Sequence, residues 1–274
     1  MKTFPFGSVL TKVDQKDKSP KKVFVLGEYA SAVHAKWISP KGREIVKALA
    51  VASEPYIFWK GDGVDKIIND IPIPIELGHL EPADPMFNGP SGLELDKSYL
   101  QPLGLTRDDV WLCDIIPYTR INRNQKAAIK KHYKPNIKEY NLPRCTIPEY
   151  KKQDLDSEQR RKQIIRELKK SHSTVIILLG DLPIEHFLSY YSEEKKPRLS
   201  SFGLQIDHYG KLNPATINGK QYQVIPLVHP RQVGKLSLHD ELWHKLHQEW
   251  IEKKAPALST YVKAGGGNFT SGNF

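Results

Sequence analysis

Four short runs of consecutive apolar residues interrupt an otherwise mixed chain, and they set its expected architecture. Val23-Phe-Val-Leu26, Val110-Trp-Leu-Cys-Asp-Ile-Ile116, Thr174-Val-Ile-Ile-Leu-Leu179 and Tyr222-Gln-Val-Ile-Pro-Leu-Val228 are each too short for a buried helix. Glycine, proline and polar residues bound them, so they read as buried strands. Helical spacing of apolar positions between them predicts helices around residues 42–51, 93–103, 157–170, 183–189 and 238–253. Apolar strands alternating with helices predict an α/β fold, a three-layer α/β/α arrangement around a central, mostly parallel four-stranded sheet. Residues 22–256 are expected to form a single domain of this kind. Residues 1–21 are polar and lysine-rich and read as a loose basic arm. Residues 71–92, rich in proline and glycine, read as irregular backbone packed over something. Residues 257–274 read as a low-complexity tail, expected to be disordered.

Charge adds a partner class to this outline. The 274 residues carry a net charge of +10, and the surplus is concentrated. Sixteen Lys/Arg stand against six Asp/Glu between Thr119 and Lys170, a surplus of ten, which leaves the rest of the chain close to neutral. Such a zone can follow a phosphate backbone and release its counterions; a solvated helical face is the other reading. Two cysteines, Cys113 and Cys145, are too few for a disulfide scaffold, a four-cysteine iron–sulfur cluster or a cysteine zinc site. No apolar run approaches the ~20 residues of a membrane span, and the opening residues do not read as a secretory signal. The expectation is therefore a monomer in a reducing cytoplasm, with no membrane contact, cofactor or metal. His244 and His247 share a helix face near His239, but no carboxylate motif of the usual zinc form accompanies them.

In open parallel sheets, functional groups collect beyond the carboxyl ends of the strands. Three such ends carry polar residues here: Gly27-Glu28, Asp114 within its strand, and His229-Pro230. They form one candidate site. Gly27-Glu-Tyr-Ala-Ser31, Phe87-Asn-Gly-Pro-Ser-Gly-Leu-Glu-Leu95 and Val228-His-Pro-Arg231 resemble, in order and spacing, three segments of the uracil-DNA glycosylase superfamily. The first is similar to the turn that positions the hydrolytic water, the second to a segment whose phenylalanine stacks on the flipped base, the third to a His-Pro-Ser loop. The resemblance extends over residues 22–250, with 119–170 as a basic insertion.

That resemblance implies a monofunctional DNA glycosylase acting on double- or single-stranded DNA. Such enzymes extrude the base and read its Watson–Crick edge in a pocket. Cleavage leaves negative charge on the departing base and positive charge on the sugar. The resemblance implies that His229 stabilises the anion, worth about 3–4 kcal/mol in comparable oxyanion sites. It implies that Glu28 orients water. Base contacts fall to Tyr29, Phe87, Asn88 and Asp114. DNA contacts fall to Ser31, Arg120, Arg123, Arg231, Lys235 and Leu236, with Leu236 as a wedge. The structural alternatives are a loop hydrogen bond for His229, a helix-start charge for Glu28, ordinary core for Phe87 and a strand-end role for Asp114.

Two departures sharpen the expectation. Tyr29 stands where the family carries a catalytic Asp or Asn, so either Glu28 substitutes for it, as in relatives carrying Gly-Glu, or hydrolysis proceeds with little help. Asp114 stands where uracil-specific members place an asparagine. An ionised aspartate only accepts hydrogen bonds, so it repels uracil O4 and accepts from the exocyclic amine of cytosine. Cytosine N3 also accepts, which requires an extra proton on Asp114 or on the base; a buried carboxyl with a raised pKa supplies it. Free excision of cytosine would destroy the host genome, so the favoured substrate is a modified cytosine of phage DNA, excised in defence. The alternatives are repair of uracil or another deaminated base, and a DNA-binding module that has lost hydrolysis. Neither a phosphate loop nor metal carboxylates for a nucleotide hydrolase are present in the sequence.

Overall fold

A computed structural model describes residues 1–192, 196–234 and 241–265. Its strands are β1 (Val23–Tyr29), β2 (Ala32–Ile38), β3 (Glu44–Ser53), β4 (His79–Pro82), β5 (Val110–Ile116), β6 (Val175–Leu179), β7 (Asn213–Ile217) and β8 (Lys220–Leu227). The chain divides into two compact units rather than the one domain expected. One contains residues 1–14, 29–92 and 116–154; the other contains 15–28, 93–115 and 155 onward.

The second unit carries the α/β fold, a mostly parallel sheet flanked by helices in the order β5-β1-β6-β8-β7. All four expected strands are present. β1, β6 and β8 run parallel, with Val23 opposite Val175 and Val175 opposite Gln223. Their apolar residues are buried on both faces, which is why they read as continuous runs rather than alternating ones. A fifth strand, β7, pairs antiparallel with β8 through a two-residue turn. Asn218 and Gly219 both take positive φ there, the geometry such hairpins require. Helix Glu158–Ser171 follows its expected position, and its inward face is formed by Arg160, Ile164, Leu168 and Ser171. At the C-terminal end, helical segments continue from Glu241 to Lys263, where Val262 is fully buried. The expected tail therefore begins later than residue 257, and 266–274 lie outside the described residues.

The first unit is built on a three-stranded sheet, β3-β2-β4, antiparallel at both pairings. Here the expected helix around 42–51 is strand β3. Val46, Leu49 and Ala50 fit a helical stripe, but pairing with β2 prevails, and Ile45, Val46 and Val51 suit a pleated surface. Residues 1–14 are not a loose arm. Phe4 and Phe6 are buried, and Phe6 packs edge-on against Trp37 and Tyr133 while its N–H donates to Tyr133 Oη. Two aromatic side chains outweigh the polar residues around them. The basic zone is not one body either: residues 119–154 belong to this unit and helix Glu158–Ser171 to the other. Among the described residues, no helix is long and apolar enough to cross a membrane.

Candidate active site

Strand register brings the second unit's polar groups to one level. Leu26 lies opposite Leu178, so Glu28 falls level with Gly180; Leu179 lies opposite Leu227, so His229 falls level with Asp181. Gly180 takes φ 89° and ψ −178°, a conformation open in practice only to glycine. A Cβ there would come within 3.1 Å of Glu28 Oε1 and 3.2 Å of His229 Cβ. Glycine at this position is what lets Glu28 and His229 approach each other across the end of β6.

Three of these groups titrate far from their usual ranges. Burial pushes the Glu28 carboxyl up to about 7, helped by the charges of Asp114 and Asp181 and opposed by Arg231. Burial likewise pushes Asp114 up to about 7, with Arg160 pulling the other way and Glu167 adding to the rise. Burial and the nearby Arg231 push His229 down to about 4, so its ring is neutral at pH 7. The Arg231 N–H donates to His229 Nδ1 at 3.2 Å. The ring proton therefore sits on Nε2, which makes that nitrogen a neutral donor. Asp114 is 3% exposed, and among the described residues neither its carboxyl nor that of Glu28 accepts a hydrogen bond.

Arg160, which sequence reasoning did not single out, holds Asp114 from behind. β5 is an edge strand, and its outer polar groups are closed by side chains instead of another strand. Leu112 N–H donates to Gln15 Oε1 at 3.1 Å. Arg160 donates to the carbonyls of Asp114 (Nη2, 2.5 Å) and Ile115 (Nε, 3.1 Å), and to Glu167 at 2.8 Å. The signal was present: an arginine one turn ahead of the Ile164/Leu168 stripe, on the face that must be buried. Asp181 was also missed, because it lies after a strand that ends on glycine and no motif marks it.

The remaining candidates lie in the first unit. Asn88 is 4% exposed and its amide is spent: Oδ1 accepts from His34 N–H at 2.8 Å, and Nδ2 donates to the carbonyls of His34 (2.9 Å) and Ala83 (3.2 Å). It pins the Phe87-Asn88 turn to β2, and both of its amide hydrogens are used in doing so. His34 completes the arrangement, its Nδ1 3.0 Å from Phe87 O and its Nε2 2.7 Å from Gln125 Nε2. Phe87 is half-buried beside His34, their ring centroids 6.3 Å apart. Tyr29 is half-buried against Tyr150, and Ser31 is exposed. Arg120 is not a free phosphate contact: it pairs with Asp154 at 3.0 Å and its side chain is 14% exposed. Arg123 is exposed at the start of helix Arg123–Ala128, and Arg231 is exposed in the second unit. Lys235 and Leu236 lie outside the described residues. Among the described residues, no three His, Cys, Asp or Glu are grouped to hold a metal ion.

A family model described as Uracil DNA glycosylase superfamily matches residues 83–248, more than half of the chain. The match takes in Phe87, Asp114 and His229 and begins after Glu28. No curated protein matches the chain.

Proposed function

The chain belongs to the uracil DNA glycosylase superfamily and is a DNA glycosylase by that membership; from this premise we propose that it excises a modified cytosine, of the hydroxymethylated or glycosylated type found in phage DNA, as a defence against phage. The observation that carries the reading is Asp114, 3% exposed, with its carboxyl pushed up to about 7 by burial. In its neutral form one oxygen donates to cytosine N3 while the other accepts from the exocyclic amine. An ionised carboxylate would repel N3. Because unmodified cytosine is the host's own base, the substrate must carry a mark that the host lacks.

The reaction follows from the neighbouring groups. Ionised Glu28 accepts a proton from water, the water oxygen bonds to C1′, and the C1′–N1 electron pair leaves with the base. The charge that develops on the base O2 meets the His229 Nε2–H, which is neutral and fixed in tautomer. No covalent enzyme intermediate is needed, which makes the enzyme monofunctional. By moving its proton to the other oxygen, neutral Asp114 also matches uracil N3–H and O4. That property supports uracil repair as the second reading.

Base release is measured from DNAs carrying uracil, cytosine or a phage-type modified cytosine, with alkali to reveal abasic sites, between pH 5 and 9. Glu28 must be ionised and Asp114 protonated, so release falls below and above a maximum near pH 7. Asp114→Asn removes the alkaline limb and turns preference toward uracil. Wild-type release of uracil with modified cytosine untouched would sink the modified-cytosine reading. Binding without release from any of the three DNAs would favour a non-catalytic module.

A further inference from the structure

A chain of buried hydrogen bonds in the second unit ends on the residue that precedes His229. Val228 N–H donates to Tyr209 Oη at 3.1 Å, and Val228 O accepts from Tyr99 Oη at 2.7 Å. Tyr209 Oη lies 2.7 Å from His247 Nδ1, and His247 Nε2 lies 3.0 Å from Ser98 O. Each hydrogen then has one consistent place. Ser98 O only accepts, so Nε2 carries the ring proton, Nδ1 accepts from the Tyr209 hydroxyl, and that hydroxyl oxygen accepts from Val228. Burial pushes His247 down to about 3, which keeps the ring neutral, and both of its nitrogens are used. The network is itself held in place. His247 stacks on Trp250 (centroids 5.2 Å) and packs at a tilt against Tyr99 (4.3 Å), and the Trp250 indole donates to the carbonyl of Gly210 beside Tyr209. All four residues are at most 1% exposed.

Ordinary core packing would be met by apolar residues at these positions. Two buried hydroxyls that meet the N–H and the carbonyl of Val228, one of them backed by a buried histidine, need another account, since every such group costs free energy unless fully bonded. We propose that Tyr209, Tyr99 and His247 are positioning residues that hold the Val228 peptide, and through it set where the His229 ring stands at the end of β8. The proposal rests on the reading of His229 as the group that meets the departing base. It also gives His247 a purpose other than metal ligation.

The test compares Tyr209→Phe and Tyr99→Phe, each removing one hydroxyl from one side of Val228, with His229→Ala and the double variants. The ring ¹⁵N shifts of His229 are read on the free enzyme and need no substrate; single-turnover release is read on whichever of the three DNAs is cleaved. Expected are a loss of the Nε2–H signature of His229 and a roughly 10- to 100-fold slower release at unchanged DNA affinity. The tyrosine variants should add little in a His229→Ala background. Within the network, His247→Gln keeps one acceptor and one donor and should retain more activity than His247→Leu. An unchanged His229 signature in both tyrosine variants overturns the proposal, as does a rate loss fully additive with His229→Ala. An altered signature with unchanged release leaves the positioning network standing and removes His229 from catalysis.

Discussion

In the first unit, Asn88, His34 and Gln125 exchange hydrogen bonds until both Asn88 amide hydrogens and both ring nitrogens of His34 are used. In the second, Glu28 and Asp114 are drawn out of water at the strand ends and, among the described residues, accept none. Both groups are polar and partly or wholly buried. The difference separates structure from chemistry. A satisfied network stabilises a turn, whereas a carboxyl taken out of water costs stability and holds a proton at a pH where an ordinary carboxylate has lost it. The cost has a definite sign. Because Asp114 and Glu28 keep protons that the unfolded chain releases, stability falls as pH rises from the ordinary carboxylate range toward 7.

The comparison can be broken most decisively at His229. His229→Ala should lower single-turnover release by about 10²–10³-fold, the loss seen when one oxyanion donor is removed, with thermal unfolding little changed. A smaller and opposite pattern is expected at Asn88. Asn88→Ala leaves the His34 N–H and carbonyl and the Ala83 carbonyl without their partner and should cost about 1–3 kcal/mol of stability by denaturant titration. Release per folded molecule should change far less than at His229; a large rate loss at unchanged stability would return Asn88 to the base pocket. The smallest effect separates the two arginines. Arg123→Ala should reduce the salt dependence of DNA binding by about one unit of slope, and Arg120→Ala, already paired with Asp154, by less.

The sheet was legible because its strands are buried on both faces, so Val23–Leu26, Val175–Leu179 and the end of β8 announce themselves as unbroken apolar runs. β7 carried a readable mark in Asn218-Gly219, yet its alternating, half-exposed residues gave no run to anchor it. β3 was misread because its apolar positions satisfy two periods at once, and only β2 alongside it selects the extended one. At the site, Glu28, Asp114 and His229 were legible as polar residues at the ends of apolar strands. Their raised or lowered pKa values were not, because burial is a property of what surrounds a side chain.

The sequence alone thus determined the strand-and-helix alternation, the family resemblance and the chemical types at the strand ends, all of which follow from local composition and order. Tertiary structure alone decided that the chain forms two units, and that residues 1–14 join the core of one of them. It also decided which polar groups are satisfied and which are not. Asn88 and Asp114 differ little as letters; they differ because three backbone partners converge on one amide, while the other side chain lies at a strand end where no donor reaches its carboxyl among the described residues. Hydrogen-bond satisfaction depends on distant segments meeting, and no window along the chain contains that information.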